Sequence, residues 1–220
     1  MSSTAMLEKL TARVLPLVAG GLLVLLLIGV ALAPAEARLG NMIKLVYVHG
    51  ALVWTGLLSF TVAGILGLVA LGVRRPVWYR GTRAAGTAAL IVWVLYVISS
   101  MAVTAMTWGQ LIAWNEPRVR ATGLILLAAV VLHIVVWLVD HGGFTAIVNV
   151  IMGVVPWVVV RQAGVIRHPV DPIGGSESAA IQGFYLLIVI TVVALAATLI
   201  AWLWARAELR SGRGMAVNAD

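Results

Sequence analysis

LVYVHGALVWTGLLSFTVAGILGLVALG, residues 45–72, contains no aspartate, glutamate, lysine or arginine. About 20 apolar residues in a helix cross the hydrocarbon core of a bilayer, so this stretch spans it with residues to spare. Five further apolar runs lie near 14–34, 85–106, 121–139, 144–161 and 181–205. The expected fold is therefore an all-α integral membrane protein with six transmembrane helices over these runs. They form a single membrane domain over residues 1–210, followed by a flexible tail at 211–220. Composition agrees, since 62% of the residues are hydrophobic, 10% are charged and the mean hydropathy is +1.07, far from soluble globular domains. The first run is too long for a leader peptide, and the ALAPAEA that follows opens a loop, so it reads as a helix. The fifth, FTAIVNVIMGVVPWVVV, contains Asn149 and Pro156 and is expected to tilt, kink or only just span.

Cysteine is absent, which excludes disulfides, thiolate ligands and a cysteine nucleophile. A net charge of +7 in a soluble protein would point to nucleic acid, but here the arginines cluster between apolar runs, where they set topology. No nucleic-acid partner is expected; the partner implied is the lipid bilayer. One side holds Lys9, Arg13, Arg74, Arg75, Arg80, Arg83, Arg206, Arg210 and Arg213. The other holds Arg38, Lys44, Arg118, Arg120, Arg161 and Arg167, partly offset by Glu36, Glu116, Asp171 and Glu177. The first group is larger, so both termini are expected in the cytoplasm. The polar segments 35–44, 107–120 and 162–180 then emerge on the outer face, where any chemistry is expected.

An ionisable side chain at membrane depth usually has a task. On this map His49 stands in the first turn or two of helix 2 at its outer end, and His168 lies in the outer loop between helices 5 and 6. Two histidines from different elements at one depth are what a six-coordinate haem iron needs, because neutral imidazole is a standard axial ligand. Each could equally cap a helix or bind a carbonyl. His133, in the middle of helix 4, and His141, in the turn after it, are eight residues apart, a rise of about 12 Å. A porphyrin between them would collide with their own helix. His133 is expected to be buried and hydrogen-bonded within the bundle, and His141 to be a solvated turn residue.

In TWGQLIAWNEPRVR, residues 107–120, Trp108 and Trp114 flank a weakly hydrophobic stretch, with Asn115, Glu116, Arg118 and Arg120 close behind. Flat apolar side chains beside Arg118 and Arg120 suit the apolar macrocycle and anionic propionates of a haem. Interfacial tryptophans and anchoring arginines explain the same residues without any ligand. Glu116 and Asp171 are not brought together as an acid/base pair, and surface salt bridges to Arg118 or Arg167 account for them. IGGSES lacks the lysine of a phosphate cradle and reads as the turn into helix 6, with Ser176 or Ser178 as its cap.

The order of these residues, YVH at the start of helix 2, WG…W…R between helices 3 and 4, and a histidine between helices 5 and 6, resembles the CcmC-type haem-handling membrane proteins of cytochrome c maturation, the WWD-domain family. The resemblance covers about residues 40–205. It implies haem b held on the outer face by His49 and His168 as axial metal ligands, with Trp108, Gly109 and Trp114 in the aromatic loop, and handed to an extracytoplasmic haem chaperone. It also implies the plasma membrane of a prokaryote and ABC-type partner subunits. The aromatic loop is degenerate: Leu111 and Ile112 stand where the family has two tryptophans, Asn115 replaces an aspartate, and the arginine is displaced to Arg118. Near His168 only Trp157 remains of a tryptophan-rich approach.

The leading expectation is a haem handler with no bond-making activity of its own. The alternative is a permanent haem b electron-transfer subunit of a respiratory oxidoreductase complex, with a quinone or an extracytoplasmic redox partner. A third reading is a translocating or structural subunit without cofactor. The absence of central carboxylates argues against proton-coupled transport.

Overall fold

The computed structural model describes residues 3–167 and 173–217, with side chains over 10–167 and 173–212. Six α-helices follow one another: α1 (Ser3–Leu32), α2 (Ile43–Val73), α3 (Pro76–Trp108), α4 (Pro117–Val139), α5 (Gly142–Gln162) and α6 (Ala179–Val217). Each contains a stretch long and apolar enough to cross a membrane. Only a helix or a closed barrel satisfies its backbone polar groups in lipid, which is why apolar sequence of this length adopts this form.

Several helices outrun their apolar stretches. α3 starts at Pro76 rather than at residue 85, so Arg80 and Arg83, expected in a loop, lie on the helix, and the connection shrinks to Arg74 and Arg75. Proline suits the first turn because the N–H it lacks has no partner there. The arginines find carboxylates: Arg80 Nε donates to Glu208 Oε1 at 2.7 Å, and Arg83 Nη1 lies 2.7 Å from Asp140 Oδ1. α6 runs through residues 211–217, where a flexible tail was expected. A helix already formed in the membrane extends at little further cost, one backbone hydrogen bond for each residue fixed.

α2 lies at the centre and packs on α3, α5 and α6; α4 rests against α3 and α5, and α1 rests chiefly on α6. The α2–α5 seam is built on glycine. A methyl group added at Gly64 would lie 3.1 Å from Gly153 Cα, and one at Gly67 would lie 2.7 Å from the Ala146 carbonyl oxygen. Such close backbone approach is how membrane helices gain packing contacts when lipid offers no hydrophobic drive. Fully buried Trp93 fills the space beside the seam, with Phe60 and Tyr96 at centroid distances of 5.7 and 4.8 Å. A second apolar cluster joins Ala33, Ile43, Tyr47, Ile173, Ile181 and Ile188 from α2, α6 and the loops. Pro156 stays within α5, and the neighbouring Trp157 Nε1 donates to Thr61 Oγ1 at 2.8 Å.

The two ends of the bundle differ. One carries the connections 33–42, 109–116 and 163–178 and is called the long-loop face; the other carries the turns 74–75 and 140–141 and is called the short-turn face.

Candidate functional site

His49 lies six residues, about 9 Å, along α2 from its long-loop end. It is 8% exposed, and its ring stacks on Tyr96 of α3 at 5.0 Å between centroids and 28° between planes. Its Nδ1 lies 3.3 Å from Ser99 Oγ, while that hydroxyl donates to the Tyr96 carbonyl at 2.7 Å. Ser99 thus links one ring nitrogen of His49 to the α3 backbone. Metal-ligating histidines are held in this way, through the nitrogen that does not ligate.

The network continues into α4. Tyr96 Oη lies 3.2 Å from Thr122 Oγ1, and Trp93 Nε1 donates to the Thr122 carbonyl at 3.3 Å. One turn before Thr122 stands Arg118, close enough to Tyr96 to act on it electrostatically. Its Nε is buried and has no hydrogen-bond partner among the described residues. Buried donors are rarely left unpaired, so a buried guanidinium nitrogen without an acceptor is a candidate for an anion contact. Arg120, two residues on, is exposed.

Trp108 ends α3, and Gly109 caps it with a left-handed φ of 68° while its N–H donates to Ala105 O at 3.1 Å. Gly109 therefore has a backbone role whether or not a ligand is present. Thr104 Oγ1 reaches the Leu111 carbonyl at 2.8 Å and folds the loop back over α3. Ala113 is buried, while Leu111, Ile112 and Trp114 are exposed, Trp114 at 64%.

Glu116 corrects the sequence expectation. It is 2% exposed and forms no surface salt bridge with Arg118 or Arg167. Its Oε1 instead accepts from the backbone N–H of Ile166 at 3.1 Å, and Oε2 from that of Arg167 at 2.8 Å. The α3–α4 loop is thereby fastened to the α5–α6 loop, one residue before His168. His168 and Asp171 lie outside the described residues. Beyond them, Ile173 is buried against Ala33, Ile43 and Tyr47, and Ser178 Oγ accepts from Ile181 N at 3.4 Å as the cap expected for α6. On the first loop, the Leu39 and Arg38 amides donate to Glu36 and hold its carboxyl below the ordinary range.

A second polar cluster, toward the short-turn face, was not anticipated. Asn149 Nδ2 donates to Thr82 O and Oγ1 at 2.9 and 3.0 Å, and Thr82 Oγ1 donates to Ala63 O at 2.8 Å. Beside it a cavity of about 30 Å³, room for a water or two, is lined by Arg83, Gly86, His133, Thr145 and Asn149 among apolar side chains. His133 stands six residues from the end of α4 rather than at mid-span. Among the described residues it has no hydrogen bond, contrary to expectation. His141 is the N-cap of α5 and accepts from Phe144 N at 3.2 Å.

Sequence reasoning missed Tyr96, Ser99 and Thr122. Their one visible signal was a tyrosine and a serine three residues apart in an apolar helix, hence on one face. For Glu116 the signal was an acid placed directly before the proline that opens α4. No protein-family model matches this chain, and no characterised protein matches it.

Proposed function

We propose that the chain is a haem b-binding protein of a prokaryotic plasma membrane, which holds haem on the extracytoplasmic face through His49 and His168 and hands it on for cytochrome c maturation. The observation that carries this reading is the placement of His49, a buried imidazole near the long-loop end of α2 whose Nδ1 lies 3.3 Å from Ser99 Oγ. The long-loop face has fewer basic residues than the short-turn face, which makes it the extracytoplasmic side under the positive-inside rule. His49 and His168 would hold the iron through their imidazoles. The Arg118 guanidinium, whose Nε is buried, would meet a propionate, and Trp108, Trp114 and Arg120 would lie against the ring. Bound haem would supply an iron able to cycle between two oxidation states, or to be passed on intact. The chain's own residues would orient, ligate and release it.

The residue types suit a haem, and the packing sets a condition. With His49 8% exposed against Tyr96, a porphyrin reaches it only after neighbouring side chains or the overlying loops shift. A shift that reverses suits a handler that docks an extracytoplasmic haem chaperone and ABC-type membrane subunits. The same enclosure favours the second reading, a permanent electron-transfer haem in a respiratory complex, because an enclosed ligand releases slowly.

The test is the absorption spectrum of the purified protein, oxidised and then dithionite-reduced, with a pyridine haemochrome on the same sample. The expected result is a low-spin haem b spectrum that His49→Ala and His168→Ala each abolish. A handler yields substoichiometric haem that passes to apomyoglobin; a permanent subunit yields full, retained haem. A spectrum unchanged in both variants, or none after haemin titration, overturns the reading.

A further inference from the structure

We propose that the cavity toward the short-turn face seats one phospholipid of the surrounding leaflet, with Arg83 meeting its phosphate and His133 donating to an ester carbonyl. This site lies toward the opposite end of the bundle from the proposed haem and is independent of it.

The walls of the cavity show where it opens. Those from α2 and α5 are buried, Phe60, Asn149 and Met152 among them, whereas Arg83 and Leu90 of α3 and His133 of α4 are half-buried. The space is therefore closed behind by α2 and α5 and reached from between α3 and α4. With 23 residues, about 34 Å, α4 is little longer than the hydrocarbon core of a bilayer, and His133 stands about 9 Å from its end. What lies outside the opening at that depth is lipid.

The polarity of the lining runs in one direction. Outermost is the Arg83 guanidinium, which gives one terminal nitrogen to Asp140, the C-cap of α4, at 2.7 Å and keeps its other N–H groups for a second anion. His133 follows, an imidazole with no hydrogen bond among the described residues, and toward mid-membrane the lining becomes apolar with Leu90, Ala129 and Met152. A phospholipid presents the same order: an anionic phosphate, ester carbonyls, acyl chains. Arginine donors match phosphate oxygens, and a half-buried imidazole without a partner gains from an acceptor. About 30 Å³ holds one or two water-sized groups, enough for head-group oxygens and too little for a ring such as that of a quinone. The acyl chains then run past Leu90 along the outer surface of α3 and α4.

The test is native mass spectrometry of the full chain in detergent, titrated with phosphatidylglycerol. Wild type is expected to retain one lipid saturably. Arg83→Gln is expected to weaken its retention at least about tenfold and His133→Leu about threefold. Arg75→Gln, at the N-cap of α3 on the same face and outside the cavity, is expected to match wild type. His133→Leu keeps the pair between Arg83 and Asp140 and is the variant read if Arg83→Gln unfolds. No saturable lipid in wild type, equal retention in wild type and both cavity variants, or an equal loss in Arg75→Gln overturns the proposal.

Two competitors identify the group recognised. Diacylglycerol with the same acyl chains lacks the phosphate, and inorganic phosphate lacks the chains; neither, in excess, is expected to displace phosphatidylglycerol. Displacement by diacylglycerol overturns the phosphate contact. Displacement by inorganic phosphate overturns the lipid as the occupant and assigns the cavity to a soluble phosphate ligand.

Discussion

Toward the short-turn face, Asn149, Thr82 and Ala63 form a chain of hydrogen bonds that never leaves three helices; beneath the long loops, Glu116 meets the backbone of a loop fifty residues away. The first cluster exists because small residues let helices approach. A methyl group on Gly86 would lie 2.6 Å from Asn149 Oδ1, and the Gly64–Gly153 contact brings α2 against α5 close by. The second exists because loops are long enough to bring amides to a buried carboxylate. His49 stands nearer the first mode, with its partner Ser99 on the next helix. Within an apolar span a polar side chain must find its partner on a neighbouring helix, whereas at the membrane surface the backbone of a loop can serve.

This contrast can be broken first at the α2–α5 seam. Gly67→Val places carbon 2.7 Å from the Ala146 carbonyl and 3.1 Å from Val150 Cγ2, so the helices must part. Thermal unfolding in detergent is expected to show a loss of about 3 kcal/mol. Gly20→Val on α1, with nothing within 4 Å, is the control and should unfold close to wild type. Equal effects in the two variants would mean that the seam is not what holds the bundle.

A smaller effect is expected at the polar pairs. Asn149→Leu removes both bonds to Thr82 and is expected to cost about 1–2 kcal/mol by the same measurement. Ser99→Ala is expected to cost about 1 kcal/mol. Its sharper effect is on His49: without the serine partner the imidazole loses its orientation, and haemin affinity is expected to fall at least about tenfold. Unchanged affinity would remove the anchored imidazole as support for the haem reading. The smallest effect belongs to Asp140→Asn, whose ion pair with Arg83 has side chains 41% and 74% exposed; a change below about 0.5 kcal/mol, vanishing in high salt, is expected. A larger loss would show that the short-turn face depends on its charges as well as its small residues.

Much of the fold was legible because apolar runs report spans directly. The start of α3 was not, because Arg80 and Arg83 look like loop residues until Glu208 and Asp140 are seen beside them. The residue types of the candidate site could be read as well: His49, Trp108, Trp114 and Arg118 stand out against an apolar background. Glu116 was visible but misread, since its partners are main-chain amides and every residue other than proline carries one.

The sequence by itself determined six membrane-crossing helices and which connections share a face, because a bilayer leaves an apolar run of this length no other way to satisfy its backbone. Only the tertiary structure decided that His49 leans on Ser99 and Tyr96, that His133 borders a cavity, and that Glu116 grips the loop leading to His168. Those pairings depend on how closely helices approach and where loops cross. Both are set by interlocking shape across the bundle, which no local stretch of sequence encodes.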